Sequence, residues 1–327
     1  MTSMPAEVAA GPVVRVAAPP GPSRLPARRS AKRRHDTILG YLFISPAIIG
    51  LFLFVVYPMV TSLYHSFTDW NGLTPATWVG LDNYVEMFTR DPTFWPSIAV
   101  TFLWVVVSVP VTIVAGLALA VLVNRGLRGV KVFRTIFYLP VVLPAIAVLT
   151  LWKYIYDPTY GLANEVLRFL HLPTSAWLGD SRVALGAILL VGVWSVGGTM
   201  IIFLAGLQAV PNELLEAAKV DGAGAVRSFL RITLPMIGPI LLLQLVLQLN
   251  GAFQTFNQVA ILTKGGPGTS TNLLMYKIYN DGFANFIAAP QLGYATAEVW
   301  VLFVIVMVVT LLMLRFTRGR FSAGGEA

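Results

Sequence analysis

Six stretches of this chain are apolar for about 20 residues or more, the length a helix needs to cross a hydrocarbon layer of roughly 30 Å. They run from about Leu39 to Leu63, Ser97 to Val123, Phe133 to Ile155, Val183 to Leu207, Met236 to Leu262 and Tyr294 to Leu314. None alternates with a period of two, which argues against a transmembrane β-barrel. Pro46 and Pro58 interrupt the first stretch, and Pro140 and Pro144 the third. Proline inside a spanning helix is tolerated where neighbours satisfy the freed carbonyls, so kinks are expected in spans one and three. Composition agrees. Only 12% of the 327 residues are charged and mean hydropathy is +0.73, too few charges to cover a soluble domain of this size. The expected fold is an all-α membrane protein with six transmembrane helices.

Charge orients the spans. With the amino terminus inside, the inner segments hold seventeen of the 23 Lys and Arg residues, among them Arg28 to Arg34, Arg125, Lys131, Arg134, Lys219, Arg227 and Arg231. The outer segments hold Arg90, Lys153, Arg168, Arg182, Lys264 and Lys277. The excess of inner positive charge places both termini of a multi-pass membrane protein in the cytoplasm. Residues 1–37 are rich in Pro, Ala and Arg and read as a disordered basic cytoplasmic tail beside lipid. Residues 38–96 hold the first span and an extracytoplasmic segment, 97–316 a five-span core, and 317–327 a second tail. The +8 net charge belongs to these inner loops; nucleic acid is not an expected partner.

Many chemistries are excluded by what is missing. There is no cysteine, so disulfides, thiolate metal sites and a cysteine nucleophile are absent. His35, His65 and His171 are far apart and make no metal cluster. No zinc-protease signature occurs, nor a Ser with a plausible His base, nor paired aspartates within the spans, so a membrane-embedded enzyme is not expected. No Gly-x4-Gly-Lys-Ser/Thr loop is present to cradle ATP. Glu298 is the only acid inside a span, near its outer end, where Lys264 or Lys277 is in reach as a partner; a structural and a transport role are both open to it.

The inner loop between spans four and five is the most informative stretch. Pro211 and Asn212 start a helix, Glu213 and Glu216 suit its positive end, and Gly222 and Gly224 stop it. A second amphipathic piece from Val226 to Ile232 leads to Leu234-Pro235. Two short helices outside the membrane suit the grip of a partner. Glu216-Ala217-Ala218, three residues, Gly222, nine residues, and Ile232-Thr233-Leu234-Pro235 resemble the EAA loop, here 210–235, of ABC importer permeases. Further stretches resemble the first permease of carbohydrate importers, the group of the maltose and glycerol-3-phosphate permeases. They are Tyr57-Pro58, Ser66-Phe67-Thr68-Asp69-Trp70, Val79-Gly80-Leu81-Asp82-Asn83-Tyr84, Phe133-Arg134-Thr135, Asp157-Pro158-Thr159-Tyr160-Gly161, Thr263-Lys264-Gly265-Gly266-Pro267-Gly268 and Gly293-Tyr294-Ala295.

That resemblance implies a type I ABC importer permease fold and a transport subunit that is not itself an enzyme. It implies a second homologous permease, two copies of a cytoplasmic ABC ATPase that hold ATP and Mg, and an extracytoplasmic solute-binding protein. No cofactor is expected in this chain. Glu213, Glu216, Ala217, Ala218, Asp221, Gly222, Ile232, Leu234 and Pro235 are then the ATPase-coupling residues. A sugar pathway asks for amides, hydroxyls and aromatic faces. Span five offers Gln244, Gln248, Thr255 and Gln258 on one helical face, with Asn250, Gln254 and Asn257 on the adjoining face. One stripe suits the pathway, the other contacts between helices. Span four adds Trp194-Ser195 near mid-membrane, for sugar stacking or for core packing. Two other readings stand beside a sugar permease: an ABC permease for a non-sugar solute, and an ion-coupled secondary transporter.

Overall fold

The computed structural model describes residues 28–125, 129–284 and 290–321. It divides at Met59 into two units. In the first, helix α1 (Arg28–Leu51) runs into a π turn (Phe52–Val56) and the start of α2 (Tyr57–His65). The Tyr57 N–H reaches back five residues to the Phe52 carbonyl, just ahead of Pro58. A widened turn there relieves the clash between a proline ring and the carbonyl four residues before it. Asp36–His65 is long and apolar enough to span a membrane and buries none of its most apolar stretch. The disordered tail assigned to residues 1–37 falls mainly on 1–27, outside the described residues, while Arg28 onward is helical. Ala31-Lys32-Arg33-Arg34 are strong helix formers that follow the last proline of the tail, Pro26.

The second unit opens with a small antiparallel pair, β1 (Thr68–Asp69) and β2 (Thr77–Trp78), followed by α3 (Asp82–Thr89). Asn83 is buried and donates to the carbonyls of Ser66 (2.9 Å) and Thr68 (3.0 Å), which pins the turn to the helix. The spanning helix α4 (Phe94–Asn124) follows, with Ser97, Thr101, Trp104, Ile113 and Gly116 buried along its inner side. Next come α5 (Val130–Val142), α6 (Ala145–Ile155), α7 (Leu162–Phe169), α8 (Ala184–Trp194) and α9 (Gly197–Gln208). The inner loop carries α10 (Asn212–Val220), α11 (Ala225–Ser228), a π turn (Phe229–Thr233) and α12 (Leu234–Met236). The chain then forms α13 (Gly238–Phe253), α14 (Asn257–Leu262), α15 (Leu274–Tyr279) and α16 (Leu292–Phe321). The core is the seam where α4 lies along α9 and α13, filled by Met200, Phe203, Leu249 and Phe253.

Among the described residues, four helices are long and apolar enough to cross a membrane: Asp36–His65, Phe94–Asn124, Gly238–Leu262 and Leu292–Phe316. Two bent pairs raise the number to six if each is one span. The pair α5–α6 bends by 99°. Leu143 stands extended (ψ 145°) before Pro144, as the residue preceding a proline must, and the helix ends there. A kink was expected at this place; the structure shows a sharper break. The pair α8–α9 bends by 48° at Ser195-Val196, in a run without proline. Gly197 follows the bend, and a Cβ on it would sit 2.0 Å from the Phe137 carbonyl of α5. Only a residue without a side chain lets these two backbones meet.

Candidate functional site

The loop between α9 and α13 is built around α10. Glu213 lies in its first turn and Lys219 in its last, each at the end that favours its charge. The helix stops in a Schellman cap: the Gly222 N–H donates to the Lys219 carbonyl (3.1 Å) and the Ala223 N–H to the Ala218 carbonyl (2.8 Å). Gly222 has φ +77°, and open space surrounds the position of a Cβ, so backbone conformation alone selects glycine here. Ala218 is buried beneath the loop, whereas Glu213, Glu216, Ala217 and Asp221 are exposed. Val220 is 89% and Val226 73% exposed, and with the exposed Leu214 and Leu230 they put an apolar surface on the loop. Ile232 and Leu234 are half-buried, and Pro235 is exposed behind the π turn at the entry to span five. Between this loop and the inner ends of α4 and α9 lies a cavity of about 770 Å³, lined by Leu117, Val121, Leu207, Leu215, Lys219 and Phe229 among others.

The polar face of span five divides by surroundings. Gln248 donates to the Thr199 hydroxyl of α9 (2.8 Å). The Trp104 indole of α4 donates to the Thr255 hydroxyl (3.0 Å). Gln244 is buried with its amide nitrogen unpaired. Thus Gln244, Gln248 and Thr255 look into the helix seam. The adjoining face looks elsewhere: Asn250 and Gln254 line a cavity of about 580 Å³ closed by Met275 of α15 and by Val299, Phe303 and Thr310 of α16. Gln258 is half-buried and Asn257 exposed on α14. Trp194 is 41% exposed at the bend of span four and meets Trp152 edge to face, with ring centres 5.8 Å apart; Ser195 is half-buried beside it.

A third cluster sits at the start of α16. Lys277 is almost fully buried, with Nζ 2.6 Å from Asp91, 2.5 Å from Asp281 and 2.8 Å from Glu298. The Tyr294 hydroxyl donates to the same Asp91 oxygen (2.7 Å). Burial alone would raise the Asp91 carboxyl, but hydrogen bonds from Lys277, Thr93 and Tyr294 outweigh it and hold the group well below the ordinary carboxylate range. Burial would lower the Lys277 ammonium; the Glu298 charge and the bonds to Asp281 and Asp91 override that and raise it.

Residues 112–321 match the family described as binding-protein-dependent transport system inner membrane component. The chain belongs to that family. The chain is 40% identical over 290 residues to the probable ABC transporter permease protein YesP of Bacillus subtilis, covering 88% of this chain and 93% of YesP. It is 34% identical over 296 residues to the trehalose/maltose transport system permease protein MalF of Thermococcus litoralis, covering 89% and 97%. It also superposes on a chain from the crystal structure of a bacterial ABC transporter that imports the acidic polysaccharide alginate. The TM-score is 0.78 at 25% identity, over 89% of this chain and 99% of that one.

The molecule is therefore a membrane-embedded permease subunit of the ABC importer class and not an enzyme. Sequence reasoning singled out the loop residues of this permease, and the structure brings them together on one short segment. It singled out Glu298 and offered Lys277 as a partner, which the structure shows. It missed Asp91 and Asp281. Both are acids outside the apolar runs: Asp281 lies four residues after Lys277, a helical spacing that could have paired the two, whereas nothing local marks Asp91, just before α4, as a neighbour.

Proposed function

We propose that this chain is one of two homologous permeases of a binding-protein-dependent importer that carries a carbohydrate or polyol into a bacterial cell. The observation that carries the reading is α10. It presents Glu213, Glu216 and Ala217 outward beside the exposed Val220 and Val226, on a loop that the chain's own bulk leaves uncovered. Apolar side chains exposed on such a loop are the mark of a partner surface. The chain has no phosphate-cradling loop, so the partner that grips α10 supplies the energy. Two cytoplasmic ABC ATPase subunits with ATP and Mg fill that role, and α10 passes their closure to spans four and five.

In this reading each bent pair is one span, giving six, with both termini in the cytoplasm, as the excess of basic residues in the inner segments supports. Asn250, Gln254 and Thr310 line the solute path in the cavity between α13 and α16. The amides at Gln244 and Gln248, with Thr255, hold the helices that form its wall. Trp194 borders the path at the bend of span four. A carbohydrate is favoured because relatives of high coverage are named for transport of trehalose and maltose and of sulfoquinovosyl glycerol. An extracytoplasmic solute-binding protein delivers it.

Purification from native membranes with identification of co-purifying proteins tests the reading. A P-loop ATPase, a second permease and a solute-binding protein are expected. The chain recovered alone, and transporting in liposomes under an ion gradient without ATP, overturns it in favour of an ion-coupled carrier. A binding protein that carries an amino acid or peptide keeps the importer and refutes the carbohydrate.

A further inference from the structure

The Lys277 cluster joins segments far apart in the chain. Asp91 closes the extracytoplasmic segment, Lys277 and Asp281 flank the end of α15, and Tyr294 and Glu298 lie in the first two turns of α16. An ammonium has three N–H donors. Three carboxylates surround this one: Asp281 accepts a hydrogen bond at 2.5 Å, and Asp91 and Glu298 form ion pairs at 2.6 and 2.8 Å. The three carboxylate oxygens lie within 4.8 Å of one another, close enough to ligate a cation, and the Lys277 ammonium takes the cation's place. The Tyr294 ring lies 5.4 Å from Nζ and adds its face to the same charge. Neither Glu298 oxygen accepts a hydrogen bond among the described residues, and Oε1 is held by the charge of Lys277 alone.

The position of this cluster is what matters. Met275 and Val299 close one side of the cavity that holds Asn250 and Gln254. Met275 is two residues before Lys277, and Val299 follows Glu298 directly. The Lys277–Glu298 pair therefore sets the gap between α15 and α16 at the cavity wall. Asp91 ties the extracytoplasmic segment to the same ammonium. A second tie, the Gly293 N–H donating to the Trp70 carbonyl (2.8 Å), holds that segment on α16. The start of α15 is in turn fixed to α4, where the Leu274 N–H donates to Thr101 (2.8 Å) and Asn272 donates to Ser97 (3.0 Å).

We propose that Lys277, Asp91, Asp281 and Glu298 are positioning residues for the solute cavity. They hold α15 and α16 at a fixed separation and make the extracytoplasmic segment and the cavity wall one mechanical piece. This inference rests on the reading of the cavity as the solute path. A purely hydrophobic contact would hold the helices together as well, but it would not fix three segments in one geometry through directed bonds.

The test uses the whole transporter in proteoliposomes and exploits the absence of cysteine in the chain. Spin labels at Val85→Cys on α3 and Val304→Cys on α16, both exposed, report the distance across the cluster. In separate samples Leu302→Cys in the cavity wall is labelled with N-ethylmaleimide, with the exposed Phe169→Cys on α7 as control. Lys277→Met combined with Glu298→Gln removes one charge of each sign and keeps side-chain size. The expected result is a broadened distance distribution and at least about fivefold faster labelling at position 302, with labelling at 169 unchanged. Unchanged distances and labelling overturn the proposal, as does equal acceleration at both positions, which marks general loosening. Broadened distances with unchanged labelling at 302 also refute it, because the cluster then does not govern the cavity. If the double variant does not fold, Glu298→Gln alone, which keeps Lys277 on Asp91 and Asp281, is measured against the same outcomes. Failure of the pathway reading shows separately, as Asn250→Leu leaving trehalose or maltose uptake unaltered, and none of the cluster measurements depends on that result.

Discussion

Gln248 and Gln254 stand six residues apart in span five and face different surroundings. Gln248 is tied to Thr199 on the neighbouring helix; Gln254 looks into the cavity beside α16. Their truncations should separate in the same way. Gln254→Ala is expected to raise the half-saturation concentration for sugar uptake by about tenfold or more with the complex intact. Gln248→Ala is expected to cost about 1 kcal/mol of stability, read as a lower unfolding midpoint in detergent, with the half-saturation concentration little changed. The reverse pattern would exchange the roles of the two stripes. The sequence shows that two polar faces exist, because a 100° step per residue sorts them. It does not show which face meets the cavity, because that depends on where α9 and α16 lie. The same limit applies to Lys277. Asp281 is four residues away, but Asp91 and Glu298 come from other segments, and only the acid inside an apolar run stood out.

At the scale of elements, α10 is a short helix held by its cap and by one buried alanine, with little else beneath it. Its ending is set by Gly222 at positive φ. Gly222→Pro removes the N–H that bonds Lys219 and forbids that backbone conformation. The expected outcome is a permease that still inserts in the membrane but no longer retains its ATPase through purification, and Glu216→Lys should weaken the same association through the helix surface. Full retention of the ATPase and normal uptake in both would remove α10 from the coupling path. The spans themselves were legible, with ends within three residues of the apolar runs, because a spanning helix is apolar for a length set by lipid. The 99° break before α6 was signalled by Pro144. The 48° break after α8 was not, since Ser195-Val196-Gly197 carries no breaker, and the bend follows from the close approach of Gly197 to Phe137.

For the whole molecule, orientation in the membrane is the property on which every functional assignment depends. A cysteine-free chain allows it to be measured directly. Asp221→Cys, on the α10 loop, should react with an impermeant maleimide only when the cytoplasmic face is open to the reagent. Leu73→Cys, 84% exposed between β1 and β2, should react from the other side. Exchanged sides would invert the reading of the inner loop, and reaction of both from one side would refute an odd number of crossings between them. The apolar helices needed only hydropathy. The joining of outer segment, α15 and α16 needed coordinates, because it is made by long-range pairs that leave no periodic trace.

The two π turns ahead of Pro58 and Pro235 have a consequence for how helical faces line up. Each inserts one residue into the helical count, and one residue is about 100° of rotation. A face traced on the near side of such a turn therefore points a quarter-circle or more away on the far side, as a screw does when it skips a thread. In the run from α11 to span five, a side chain of the inner loop and one of the cavity wall are out of phase although they belong to one continuous strand of chain.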